Sequence, residues 1–395
     1  MRRWRKNRHW LDASGLALYF LQRVRELDIE DAVPQPVWSE LRQHHVDNGK
    51  RTESLHLDFV RLNEAFRDAG LRYVNLKGFT LVPEYCPDLT LRYQTDFDFL
   101  IDEEDAAQCR ETLSELGYSV IAANQQVMEF KTDAGRTPHM RDLYRARAQR
   151  SVEVHLCGSG GSSWHRGLLH RASFKRIEGS SYPILSAEDM FLSQASHVLR
   201  HLRSEWTRIS WLLEFRHFVR SRSEDTGFWR SVRLRAMRDP EAILAAGVSL
   251  RMAEKAFGDF VPHELASWSV GRVAAPVALW IEEYGAAVLL TDFPGSKLYL
   301  LLEGAIHGDN RAALVREKLF PRRAPAPIVA APANGFIAQL RAAMTRWSYF
   351  AFRLRFHVQS GASYLSASRR WRRLLGSSAS AKPSMASEYG VPAAD

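Results

Sequence analysis

Two aspartates separated by one residue, Asp96 and Asp98, open the run Asp96-Phe97-Asp98-Phe99-Leu100-Ile101. Along an extended strand, residues two apart share a face. The two carboxylates therefore point the same way, and Phe97 and Phe99 point into the protein. Side by side, carboxylates raise each other's pKa. A divalent cation between them removes that repulsion, and hard oxygen ligands suit magnesium. Magnesium held by one or two carboxylates and by substrate phosphates is the usual arrangement in phosphoryl-transfer sites. The plainer reading of the same pair is a solvated strand end.

Other residues could join that chemistry. Gly78 follows a short strand pattern, and a glycine at a strand-to-helix turn lets the backbone approach a phosphate. Lys77 before it could pair with a triphosphate or with a carboxylate of the site. Arg92 could contact a phosphate in bidentate fashion, or pair with Asp88 or Asp96. In Val152-Glu153-Val154-His155-Leu156, alternation places Glu153 and His155 on one face. His155 could donate to a carboxylate or a phosphate, or be structural. His197 and His201 lie one helical turn apart. No glutamate follows His197 and no third ligand stands out, so packing or a substrate-facing role outweighs zinc. Arg200, Arg203, Trp206, Arg208 and Trp211 lie near them and could form a wall for a base and a phosphate, although such stripes are more often core.

Several of these motifs together resemble one family. Tyr73-Val74-Asn75-Leu76-Lys77-Gly78, then Arg92, then Asp96-Phe97-Asp98-Phe99-Leu100 look like the Leu-Lys-Gly, Arg, Asp-x-Asp signature of an uncharacterised bacterial nucleotidyltransferase family, itself similar to the DNA polymerase β-like superfamily. Val152 to Leu156 resembles that family's later strand. Ser186-Ala187-Glu188-Asp189-Met190 with His197 and His201 resembles its next helix, and Ile209 to Glu214 the segment after it. The ordered set, over roughly residues 10 to 320, is more specific than any one motif. The resemblance implies that Glu153 is a third carboxylate of the metal site, beside Asp96 and Asp98, and positions the attacking hydroxyl. It implies two magnesium ions, with manganese as a substitute, and an NTP held by Lys77, Gly78, Arg92 and His155. Where the wider superfamily has a pair of small residues, this chain has a single glycine preceded by lysine, a departure the narrower family shares. The acceptor is open, and relatives point to a hydroxyl or amine in polysaccharide or peptide natural-product biosynthesis.

Composition sets the frame. A chain of 395 residues, 46% hydrophobic and 25% charged, buries a large core and divides into more than one domain. Cys86, Cys109 and Cys157 form no Cys-x-x-Cys pair, which argues against a disulfide framework or a zinc site and fits a reducing cytoplasm. No apolar run approaches a membrane span, and the basic start Met1 to Lys6 is followed too soon by charge for a secretory leader. The net charge of +9 is uneven. Residues 321–375 hold ten arginines and no acid, so the rest of the chain is close to neutral.

The elements that must position the acids read as an α/β arrangement with a mixed sheet, followed by an all-helical second domain. Residues 1–70 are read as helices, with Gly70 a C-cap. Residues 71–160 form the α/β core. Its strands are Tyr73 to Leu76, Asp96 to Ile101, and those near Ser119 to Ala122, Val127 to Lys131 and Ser151 to Leu156. Gly78 is expected to open a helix, and Glu103-Glu104-Asp105 to start another. Gly158 to Ser163 is read as a connector. Residues 164–320 are read as helical, with Ser186 and Asp189 as a capping pair. Residues 321–335 read as a Pro/Ala linker, 336–375 as a basic, aromatic helical segment, and 376–395 as a disordered tail.

That basic segment suits an anionic partner, either nucleic acid or a membrane surface, or packing on the helical domain. The reading is a metal-dependent nucleotidyltransferase of the cytoplasm, peripheral at the membrane if the segment binds lipid. Three rivals stand beside it. A glycosyltransferase also uses Asp-x-Asp, but after a hydrophobic strand, which Leu91 to Thr95 is not. A toxin-type enzyme acting on tRNA would suit the arginines. A non-catalytic binding protein would not need intact acids.

Overall fold

The computed structural model describes residues 2–132, 143–145, 150–158, 167–291, 295–308 and 336–380. Residues 159–163 of the expected connector, the Pro/Ala stretch 321–335 and residues 381–395 of the expected tail lie outside them.

Three helices lead: α1 (Arg2–Ala13), α2 (Ala17–Glu26) and α3 (Gln35–Asp68). Leu55, Phe59, Leu62 and Phe66 recur at helical spacing on α3 and are all buried. Gly70 ends the helix at φ +70°, a conformation cheap only for glycine.

A mixed sheet of seven strands follows, β1 (Tyr73–Asn75), β2 (Phe97–Asp102), β3 (Ser119–Ala123), β4 (Val127–Lys131), β5 (Ser151–Cys157), β6 (Ser173–Ile177) and β7 (Ser180–Ile184). Their spatial order is β3-β4-β5-β2-β1-β7-β6. β2 pairs parallel with β5 at the centre, and β1 antiparallel with β2. Helix α4 (Ala106–Glu115) crosses between β2 and β3 after the acidic turn Glu103–Asp105. The alternation sorts the two faces. Phe97, Phe99, Ile101, Val152 and Val154 pack with Phe59 and Phe66 of α3 and with Cys109 and Leu113 of α4. Burying each large apolar side chain contributes about 1.5–3 kcal/mol. Val74 and Leu100 face the other way, into the core of the helical part.

Two expectations change. Gly78 opens a single tight 3-10 turn, Gly78–Leu81, not a longer helix. Residues 173–184 belong to the sheet, as an antiparallel hairpin within the range 164–320 read as a helical domain. Glu178 and Gly179, both at positive φ, make the two-residue hairpin turn between β6 and β7. Pro183 and the short polar run hide this hairpin in the sequence.

Helices then dominate: α5 (Ala187–Leu202), α6 (Ile209–Ser221), α7 (Thr226–Ala236), α8 (Pro240–Phe257), α9 (His263–Trp268), α10 (Ala275–Leu289), α11 (Tyr299–His307) and α12 (Phe336–Ser380). Ser186 caps α5, its hydroxyl accepting from the Asp189 amide at 3.4 Å. Helix α8 lies among α5, α6 and α10. Its buried Ala242, Ala245, Ala246, Gly247 and Ser249 allow that close approach. Helix α12 runs five residues beyond the expected boundary at 375. There the Ser377 hydroxyl bonds back to the carbonyls of Arg373 and Leu374, at 3.1 and 3.0 Å. No helix among the described residues is long and apolar enough to cross a membrane.

Candidate active site

The sheet register builds the site. Asp98 on β2 lies directly opposite Glu153 on β5, and Leu100 opposite His155. Asp98, Glu153 and His155 thus share the face away from α3 and α4. Ligand atoms of these three lie within 4.8 Å of one another, and they are the group among the described residues able to hold a metal ion. Asp96 is not one of the three. It precedes β2 and is half-buried, and its Oδ1 accepts from the Thr95 hydroxyl at 3.0 Å.

Lys77 stands over Asp98, its Nζ donating to Oδ1 at 2.8 Å. Both side chains are largely buried, 13% and 4% exposed, so the pair is screened little by solvent. Burial opposes the Asp98 charge, yet Lys77 and then His155 outweigh it and hold the carboxyl well below its ordinary range. Asp96 goes the other way. Burial and then the Asp98 charge push it up, with Lys77 pulling back and Glu153 adding to the rise. These interactions place Asp96 in the same electrostatic site. Glu153 is lowered, first by its contact with His155, against burial. For His155 burial opposes the charge, but Asp98 and Glu153 prevail and its pKa rises.

His155 Nε2 lies 3.1 Å from Glu153 Oε1 and 3.8 Å from Asp98 Oδ1. It is buried and makes no aligned hydrogen bond to either. Two carboxylates and an imidazole nitrogen converging there can hold a divalent cation, the carboxylate oxygens suiting magnesium or manganese.

Gly78 and Arg92 occupy supporting positions. Gly78 sits at φ +71°, and a Cβ there would come 2.6 Å from Gln94 Nε2. Gln94 in turn donates to the Asp96 carbonyl at 2.8 Å. The glycine therefore makes room for the side chain that ties down the strand entrance. Arg92 turns to Glu214 on α6, with Nε 3.1 Å from Oε1 and 3.4 Å from Oε2. Neither Asp88 nor Asp96 is that hydrogen-bond partner, although Asp96 is near enough to influence Arg92. The Tyr19 hydroxyl donates to Glu214 as well, at 3.1 Å.

Helix α3 fixes the same loop. Asn48 donates to the carbonyls of Thr90 and Arg92 at 2.8 and 3.1 Å, and Arg51 donates twice to that of Gln94. Asn48, Arg51, Gln94 and Glu214 were not singled out from the sequence. A polar residue inside an apolar stripe was the available signal, as for Glu214 between Trp211 and Phe218 on one face of α6.

A basic and aromatic cluster lies within electrostatic reach of Lys77. His197 and His201 of α5 pack on Trp211, at ring separations of 4.7 and 4.3 Å. Arg208 stacks over Tyr93, Trp206 and Trp211, at 4.3, 4.9 and 5.3 Å. Burial and then Lys77 lower His197 far below its usual value. Burial and then Arg200 push His201 down to about 3. Arg200 Nη2 lies 3.3 Å from His197 Nδ1, as suits a neutral, accepting imidazole.

A central parallel strand pair thus carries matched acids with a lysine over one of them, and the helical half packs on that face. No curated protein matches the chain. Residues 1–258, from α1 to the end of α8, match the family described as uncharacterised nucleotidyltransferase, and the chain belongs to that family.

Proposed function

We propose that the chain transfers a nucleoside monophosphate from an NTP to a hydroxyl or amine, with magnesium, or manganese in its place, held at Asp98, Glu153 and Asp96. The observation that carries this is the pairing of Asp98 with Glu153 across parallel strands, with His155 Nε2 3.1 Å from Glu153 Oε1 completing the cluster. When bound, the metal neutralises the triphosphate and favours attack at the α-phosphorus. His155 orients Glu153 and supplies a third ligand atom. Asp96, raised by burial and by the charge of Asp98, completes the acid set for a second ion. Lys77 exchanges Asp98 for a phosphate oxygen as substrate arrives. Glu153, held ionised, orients the acceptor hydroxyl and takes its proton as the new P–O bond forms, while the bond to pyrophosphate breaks. Arg92 steadies the loop through Glu214 and lies near enough to His197 and Asp96 to add positive charge beside the triphosphate. The wall of His197, His201, Trp206, Arg208 and Trp211 receives the nucleobase by stacking. A sugar or peptide acceptor rests on the family resemblance alone.

The test is label transfer from each α-labelled NTP, with magnesium and a cell extract as the source of acceptor. Wild type should transfer label. Asp98→Asn and Glu153→Gln should each fall by about a thousandfold, the scale of losing a transition-state charge contact. Undiminished transfer in Glu153→Gln would defeat the assignment. Turnover of a nucleotide sugar in place of an NTP would favour the glycosyltransferase.

A further inference from the structure

Helix α12 lies beyond the residues that match the family and carries two stripes. One stripe is docked. Phe356, Ser360, Tyr364 and Trp371 recur at steps of four, four and seven, and all are buried. Tyr284 of α10 donates to the Ala367 carbonyl at 3.1 Å, and its ring lies 6.0 Å from that of Trp371. Arg353 and Arg370 pair with Glu205 and Glu283, at 3.0 and 2.6 Å. No described residue covers the other stripe. Trp347, Phe350, Leu354, Val358 and Leu365 follow at steps of three, four, four and seven, and are between 55% and 72% exposed. The same face continues into Arg369 and Arg372, which with Arg373 line one shallow concavity.

We propose that α12 lies flat on an anionic lipid surface, burying the stripe from Trp347 to Leu365 at the headgroup boundary with Arg369, Arg372 and Arg373 on the lipid phosphates. An interfacial helix of this kind combines aromatic and aliphatic residues with arginine and without acid. Residues 321–375 contain no acid at all, which fixes the sign of the partner. A second copy of the helix would bring arginine against arginine. RNA would satisfy the arginines and stack on Trp347, but it offers no hydrocarbon to Leu354, Val358 and Leu365. A bilayer surface takes the aliphatic side chains, the rings and the arginines together. The docked stripe keeps the helix attached to the helical half, so lipid binding would place the whole protein beside the membrane. This inference does not rest on the proposed reaction.

The test uses the full chain with vesicles of phosphatidylcholine, alone or mixed with phosphatidylglycerol. Co-sedimentation should occur with the mixed vesicles only and weaken as salt rises. Arg369→Glu/Arg372→Glu/Arg373→Glu should lower the affinity about a hundredfold or more, from roughly a fivefold loss per arginine near the surface. Trp347→Ser/Leu354→Ser/Val358→Ser should lower it by at least about tenfold. The wild-type tryptophan emission should shift to the blue on the mixed vesicles, and Trp347→Phe, which keeps the apolar face, should remove part of that shift. Nucleotidyl transfer to a soluble acceptor should be unchanged in all these variants. Failure to bind the mixed vesicles overturns the proposal. So does binding that ignores the serine triple, which marks simple charge adsorption. RNA binding that the arginine triple abolishes, without vesicle binding, assigns the helix to nucleic acid instead. A dimer that the serine triple dissociates, without vesicle binding, assigns the stripe to a second copy.

Discussion

Lys77 acts as an internal counter-ion for Asp98. Removing one member of a buried pair leaves the other uncompensated, at about 3–5 kcal/mol. Lys77→Met should therefore melt well below wild type. Magnesium should raise the melting temperature of this variant more than that of wild type, since it would replace the lost ammonium. An equal rise in both would place the ion away from Asp98. Gly78 supplies a second test at this scale. Gly78→Ala must hold a left-handed backbone, at about 1–2 kcal/mol, and must also displace Gln94 from the Asp96 carbonyl. In Gly78→Ala/Gln94→Ala the steric part should vanish and the backbone part remain, so the double variant should be more stable than the sum of the two single changes predicts. Strict additivity in thermal melts would remove the contact from the explanation.

At the scale of elements, Arg92 and Glu214 join the loop before β2 to α6. Arg92→Met should cost about 3–5 kcal/mol by leaving Glu214 buried and unpaired. Arg92→Met/Glu214→Leu should recover most of that stability, because an apolar pair of similar volume tolerates the site. Single-turnover transfer then separates two roles. Recovery of activity with stability makes Arg92 a clamp, and stability without activity makes it a phosphate contact. The sequence made the strand beneath this loop easy to read. Phe97, Phe99 and Ile101 alternate with the acids, and Val152 and Val154 flank Glu153. It also exposed the helical spacing along α3. It did not reveal the partner of Arg92, because that pairing crosses more than a hundred residues and no local period encodes it. The β6–β7 hairpin escaped for a different reason. Its strands are short, lie at the sheet edge, and are anchored by a single registered pair to β1, Asn75 with Ile184. Edge pairing of that kind is decided by tertiary context more than by β-propensity.

The whole molecule encloses the site between a sheet and a helical half, and this closure governs its response to acid. His197 and His201 sit where they face each other, Lys77 and nearby arginines, and both have depressed pKa values. In the unfolded chain each takes up a proton near its ordinary value of about 6.5. In the folded chain His201 does so only near 3. Between those limits the unfolded state holds more protons, so stability falls as pH falls. Melting temperature should therefore decline from about pH 6.5 downward, and His197→Gln/His201→Gln should decline less steeply. Parallel curves for the two proteins would show that the pair titrates as freely folded as unfolded.

The sheet is a single layer of backbone, so the acids on one side are aligned by the hydrocarbon on the other. Phe99 and Val154 are fully buried behind them and never meet a substrate. A slightly smaller or larger residue there would tilt one central strand against the next and change the spacing of the acids by tenths of an ångström. Turnover should thus respond to substitutions a full layer away from any reacting atom, and a search for altered acceptors could begin on that concealed side.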